Sequence, residues 1–171
     1  FEESDVPYAR SCSVEEAMGN PQILHNEMVV DVWDAEVGNI RQMGLPLKFS
    51  KTPGKIKGTR PQYGQDTKAI LSEMEKVSVP ERNLLSFDCN ILGPPLKGIK
   101  VMEITNVLAG PTSGKMLADL GADVVKFESL DGDISRPGGS SSFIYLNSNK
   151  RSISVNTKTP EGRKIAQALA S

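Results

Sequence analysis

The stretch Gly110-Pro-Thr-Ser-Gly114-Lys115 is where residue types and spacing first invite a chemical reading. A P-loop places a glycine, four intervening residues and then Gly-Lys with a hydroxyl residue, so that backbone amides and the lysine enclose phosphates. Only three residues, Pro111 to Ser113, separate Gly110 from Gly114, and Lys115 is followed by Met116, which offers no hydroxyl to magnesium. That form of nucleotide chemistry is excluded. What remains is a small-residue turn that starts a helix, whose free amides favour an anionic group by about 0.3–1 kcal/mol. A plain tight βα connection is the alternative.

Other reactive side chains offer little. His25 is the single histidine, too few for the usual zinc sites, and no Gly-x-Ser-x-Gly elbow accompanies it. We expect it packed or at a helix end. Cys12 and Cys89 have neither metal-ligand nor redox spacing. Asp119 is expected on the solvent side of a helix, and Asp131 and Asp133 in the turn of SLDGD, so none is assigned to catalysis. No metal site and no catalytic residue is expected within the chain.

The elements that must hold these residues fall into two parts. In the first, Ser13 and Glu16 have capping-box spacing, Pro21 opens a second short helix, and EMVVDVWD with NIRQMGLPLKFS predicts an antiparallel pair around AEVG. The Gly, Pro and Lys-rich segment 50–65 predicts a solvated loop, and DTKAILSEMEKV an amphipathic helix with Ile70, Leu71 and Met74 on one side. Residues 77–95 carry prolines without periodicity and read as a connector. From residue 96 the texture is α/β: KVMEIT a strand, PTSGKMLADLG a helix capped by Thr112 or Ser113 with Met116, Leu117 and Leu120 toward the core, DVVKFE a parallel strand, SISVN a third, and TPEGRKIAQALA a helix. Gly121 is placed for a left-handed helix stop. The fold class is therefore α/β, with a Rossmann-like parallel βαβ unit in the second part and an α+β segment before it. The Gly-x-Gly-x-x-Gly fingerprint of dinucleotide folds is missing.

Composition sets limits on partners. With 38% hydrophobic residues a core can form, and 20 basic against 21 acidic side chains leave no net field to attract nucleic acid or an anionic membrane. No apolar run approaches the roughly 20 residues that span a bilayer, and the first residues lack the regions of a signal peptide, so a cytoplasmic protein is expected. The chain starts at Phe1 without methionine and stops within the apolar pattern IAQALA. We expect a fragment of a longer protein.

The stretches PLKGIKVMEITNVLAGPTSGKMLADLGADVVKFESLDGD and YLNSNKRSISVNTKTPEGRKIAQALAS resemble the amino-terminal part of the family III CoA-transferases, the CaiB/BaiF family. VPYARSCSVEEAMGNPQI, GLPLKFSKTP and RPQYGQDTKAILSEM resemble the same family's carboxy-terminal region. Tail before head implies the junction of a tandem protein, with residues 1–76 ending one copy, 77–95 connecting, and 96–171 beginning a second; circular permutation is the other route to this order. The resemblance implies transfer of coenzyme A between acyl-CoA and a carboxylic acid through an aspartyl intermediate, with the nucleophile beyond Ser171, because Asp34 and Asp88 lie where the family places none. It implies interlocked dimers, or a pseudo-dimer within one tandem chain.

Part of a CoA site carries over residue by residue. Leu108 and Ala109 match positions that contact CoA, although a polar residue is common where Leu108 stands. Ser129 matches an arginine that meets the nucleotide end of CoA, and a serine cannot make arginine's bidentate charged contact. Val155, Asn156, Thr157 and Lys158 match the run lining the adenine and phosphate region, with Lys150 and Arg151 adding charge nearby. Two other functions stay open: epimerisation of 2-methylacyl-CoA, and a non-catalytic CoA-binding or assembly module suggested by the altered positions 108 and 129.

Overall fold

A computed structural model describes residues 2–76, 93–137 and 140–170. Cys89 and most of the expected connector lie outside them. In the first segment Ser13 and Glu16 close the expected capping box on α1 (Val14–Met18), and Asn20 caps α2 (Pro21–His25) with Pro21 at its start. His25 stands exposed in the last turn of α2, not packed. The strands β1 (Val29–Asp34) and β2 (Gly38–Met43) pair antiparallel from Val29↔Met43 to Asp34↔Gly38. Asp34 builds the reversal, its Oδ1 accepting from the Glu36 and Val37 amides at 2.9 and 3.2 Å, and Gly38 takes the φ of +80° that closes it.

The second segment contains β3 (Lys100–Glu103), α4 (Ala109–Asp119), β4 (Asp123–Glu128), α5 (Ser141–Leu146), β5 (Arg151–Ser154) and α6 (Pro160–Ala170). Its three strands form a parallel sheet in the order β3-β4-β5, with Val125 opposite both Met102 and Arg151. α3 (Thr67–Lys76), from the first segment, packs onto this sheet. Ile70 shares a buried cluster with Val125, Phe127, Ile153 and Val155, flanked by Leu71 and Met74 of α3 and by Ile165 and Leu169 of α6. Ala118, Ala122 and Val124 form a second cluster with Leu117 and Val101. A buried Val, Ile or Phe side chain contributes about 1.5–3 kcal/mol, so the first cluster, which holds Ile70, ties the stability of the two segments together.

β5 is a sheet edge with unpaired backbone, and the residues entering α3 satisfy it. The Asp66 amide donates to Ser152 O at 3.0 Å, the Ser152 amide donates to Asp66 Oδ2 at 2.8 Å, and the Ser154 amide donates to Thr67 Oγ1 at 3.2 Å. Farther back, Asn149, at φ +63°, accepts from the Lys57 and Gly58 amides and donates to Lys55 O, which straps the 50–65 loop to the second segment.

Several expectations need correction. α4 begins two residues before Pro111, and its N-cap is Leu108; the Thr112 and Ser113 hydroxyls lie inside the first turn and donate back to the Leu108 and Ala109 carbonyls at 2.7 and 3.1 Å. Leu117 packs inward as expected, but Met116 is 45% exposed, while Asp119, expected on the solvent side, is 5% exposed with Lys115 buried beside it. The two charges pair with each other and Lys115 lies 4.7 Å from the Tyr145 ring centre, which makes a buried charged face stable. Arg60 is no solvated loop cation: it is buried against Asp34 and Glu36. Helix α5 was not expected, yet it buries Phe143, Ile144 and Leu146.

Candidate functional site

In a parallel sheet the loops after the strands collect at one edge, where α/β proteins hold ligands. Here that edge carries residues 104–108 after β3, Ser129 after β4 and residues 155–158 after β5. The Val155 amide donates to Glu128 O at 3.0 Å and Ser154 Oγ to Ser129 O at 3.3 Å, which brings Ser129 directly beside the 155–158 run. Leu108 and Ala109 are exposed at the same edge on the far side of β4.

The geometry gives each candidate a different capacity. Val155 packs its side chain into the core, so only its backbone faces the edge. Asn156 forms a turn, accepting from the Lys158 amide at Oδ1 (3.1 Å) and from Thr159 at its carbonyl; Thr157 and Lys158 project from that turn exposed. Gly162 is required beneath it, since a Cβ there would stand 1.9 Å from Asn156 O. Leu108 is 61% exposed, and no side chain caps the helix it precedes. Val107 just before it has φ +70°, a left-handed conformation costly for a β-branched residue. Ser129 is exposed and brings no charge.

Behind the edge lies a buried ion network that holds its loops. Lys126, 0% exposed in the middle of β4, reaches Asp133 Oδ2 at 2.8 Å, Glu103 Oε1 at 3.3 Å and Thr105 O at 3.0 Å. Lys150 meets Glu103 Oε2 at 2.6 Å and donates to Pro111 O and Asn147 Oδ1. Burial lowers Lys150 to about 8 against the opposing pull of Glu103. Burial raises the Asp133 carboxyl, but the Lys126 ammonium and the Ser135 amide outweigh it and hold it below the usual range. Lys150 is thus a structural cation rather than a solvated loop charge, and Arg151 is held by Asp123 and Glu73.

The same network explains the opening motif. A Cβ at Gly114 would stand 1.8 Å from Glu103 Oε2, and one at Gly110 would stand 2.3 Å from Thr105 Cβ. These glycines let α4 cross close over the end of β3, while Lys115 turns to Asp119 and away from any phosphate position. Glu128, the acid closing β4, is likewise committed. Burial raises it, yet Arg136, bidentate at 2.7 and 2.6 Å, and Ser152 at 2.7 Å outweigh burial and lower it. It offers no free carboxylate for a ribose.

Residues 60–67 also reach this edge, which the sequence reading missed. The Tyr63 hydroxyl lies 2.6 Å from Leu130 O, 3.1 Å from Ser129 O and in close contact with Ser154 Oγ. The signal for the ion network was present, because a lysine inside the apolar run DVVKFE must find a buried partner. Nothing in the sequence marks Tyr63. A cavity of about 480 Å³ lies away from this edge, lined by Ile40, Gln42, Met43, Ile144 and Tyr145 among others, and contains no candidate residue. Among the described residues no group of His, Cys, Asp and Glu could hold a metal, and no helix is long and apolar enough to cross a membrane.

The chain is a mixed α/β protein whose parallel sheet presents its candidate residues at one carboxyl edge. The sequence pattern of CoA-transferase family III matches residues 1–67 and 96–171, and the chain belongs to that family. A formyl-CoA:oxalate CoA-transferase of Streptomyces avermitilis is 47% identical over 81 residues, 43% of this chain and 20% of that protein. One from Escherichia coli is 44% identical over 86 residues, 46% of this chain and 21% of that protein. The chain therefore spans about a fifth of the length of these curated relatives. Among solved structures, a CaiB/BaiF family protein from Brucella suis matches with 41% identity and a TM-score of 0.40 over 44% of this chain and 23% of that one.

Proposed function

We propose that the protein to which this chain belongs transfers coenzyme A between an acyl-CoA and a carboxylic acid, and that this chain contributes part of the CoA site. The observation that carries the reading is the direct juxtaposition of Ser129 with the 155–158 turn at the sheet's carboxyl edge, in a chain of this family. Lys158 supplies the exposed cation for a phosphate, the 156–158 turn supplies backbone polar groups, and the start of α4 supplies amides near Leu108 and Ala109. The sheet acts as a Rossmann-like half-domain, and the tail-then-head order reflects a junction of two family copies near residues 77–95.

The reaction belongs to an aspartate outside residues 1–171. Its carboxylate oxygen attacks the thioester carbonyl, the carbon–sulfur bond breaks, and CoA leaves as thiolate, giving a mixed anhydride. The thiolate then attacks the aspartyl carbonyl and releases the first acid as carboxylate. The second acid's carboxylate attacks the enzyme thioester, and the CoA thiolate it releases takes the acyl group from the resulting anhydride, restoring the aspartate. The test is exchange of labelled acid into acyl-CoA by the full-length protein. Absence of exchange in protein that binds CoA refutes the transferase reading. One observation favours a non-catalytic CoA-binding copy: Ser129 is exposed and uncharged where arginine is expected. Deuterium entering C2 of a 2-methylacyl-CoA without acid exchange identifies an epimerase instead.

A further inference from the structure

Three oxygens converge where β4 and β5 end. Ser129 O and Leu130 O are pure acceptors, and Ser154 Oγ donates at most one proton. Left to themselves they would need water to satisfy them. The Tyr63 hydroxyl enters this cluster from a segment 66 residues earlier in sequence than Ser129, contacting all three, and with one proton it serves Leu130 O at 2.6 Å best. Ser154 Oγ–H then serves Ser129 O or the phenol oxygen.

The placement of Tyr63 is itself fixed. The ring packs against Gly132, where a Cβ would lie 3.4 Å from the ring carbons, and Gly132 takes a φ of +75° in the turn after Ser129. The Arg136 guanidinium lies 5.8 Å from the ring centre and donates to Pro61 O at 3.1 Å, anchoring the segment from the other side. Immediately downstream, the Gly64 amide donates to Ser152 Oγ at 3.0 Å. Tyr63 is nevertheless 43% exposed, so it stands at the surface of the edge and not beneath it.

We propose that Tyr63 is a positioning residue for the nucleotide end of CoA: its hydroxyl sets the 129–130 turn against the end of β5, beside the 155–158 run. The inference rests on the CoA-site reading above. The hydroxyl compensates in this chain for a Ser129 that brings no charge, by fixing the backbone that faces the nucleotide.

The test is equilibrium binding of three probes to the full-length protein: CoA, adenosine 3′,5′-bisphosphate and pantetheine. Tyr63→Phe keeps the ring and removes the hydroxyl. We expect a five- to tenfold loss for CoA and for adenosine 3′,5′-bisphosphate, with pantetheine unchanged. Ser154→Ala, which removes another member of the cluster, should reproduce the pattern more weakly and serves if the first variant does not fold. Equal losses for all three probes would mean a general structural effect and overturn the proposal, as would unchanged nucleotide binding by a folded Tyr63→Phe. The underlying site is judged separately. If Lys158→Ala and Asn156→Ala leave CoA affinity intact, the site reading fails and this inference with it; if they weaken CoA while Tyr63→Phe does not, only the role of Tyr63 is lost.

Discussion

Replacing Gly114 by alanine tests the buried ion network directly. The new methyl carbon would stand 1.8 Å from Glu103 Oε2, 2.9 Å from its Cδ and 3.3 Å from Lys150 Nζ. A flexible acid on a surface would swing aside, but Glu103 is buried and held by Lys150 at 2.6 Å and Lys126 at 3.3 Å. Making room means separating Glu103 from Lys150 or lifting α4 off β3. Breaking a buried pair costs about 3–5 kcal/mol, and alanine's better helix propensity returns about 1 kcal/mol. The net expectation is a loss of about 2–4 kcal/mol, a large part of the roughly 5–15 kcal/mol that holds a domain folded. Urea unfolding followed by far-ultraviolet circular dichroism measures it, with Gly58→Ala, where no atom lies within 4 Å of the added carbon, as the neutral control. Shortening the acid by one methylene with Glu103→Asp should reduce the cost of Gly114→Ala, as coupled neighbours do. A Gly114→Ala protein as stable as the parent, or more stable, refutes the claim that the glycine exists to admit the carboxylate.

Three further outcomes are expected. Because burial lowers Lys150 to about 8, the unfolded chain holds the lysine proton more tightly than the folded one between that value and the ordinary 10.5. Stability therefore rises with pH in this window, by about 1–2 kcal/mol from pH 8 to 9.5, and Lys150→Met flattens the rise in a series of denaturant curves. Val107→Gly relieves a left-handed conformation that costs an L-residue about 1–2 kcal/mol, less the flexibility glycine adds to the unfolded chain, so a small rise in Tm should appear in a thermal melt. Ser129→Arg should tighten CoA binding by the full-length protein about tenfold or more in calorimetry, with the gain shrinking as salt is added, since a charged hydrogen bond contributes about 1.5–3 kcal/mol.

Local rules explain which elements were legible. The capping box at Ser13, the antiparallel pair around AEVG, the α3 stripe and the left-handed Gly121, at φ +101°, are each set within a few residues, and the structure shows all of them. The polarity of α4 was not legible, because Lys115 and Asp119 become core residues only by pairing with each other, against Tyr145 of an unforeseen helix. Asp133 is expected only as a residue of the turn in SLDGD, and its role as the buried partner of Lys126 is an assignment made by tertiary contact alone. At the candidate edge, the strand ends locate Ser129 and the 155–158 run, but Tyr63 arrives from a loop that no pattern links to them.

The strapping of residues 55–67 onto the second segment bears on how the chain is made. Lys55 bonds to Asn149 across 94 positions, and Asp66 to Ser152 across 86. A ribosome working toward the 3′ end of the messenger releases the early partners long before the late ones exist, so the Lys55 carbonyl and the Asp66 carboxylate stay hydrated for the seconds that elongation takes. The α1 and α2 turns and the β1-β2 hairpin depend on local contacts, whereas the 55–67 strap and α3 can lock only after β5 has been synthesised. Protease sensitivity of nascent chains should accordingly persist around residues 55–67 until the 150s clear the exit tunnel. The later sequence thus sets the moment at which the earlier one becomes ordered.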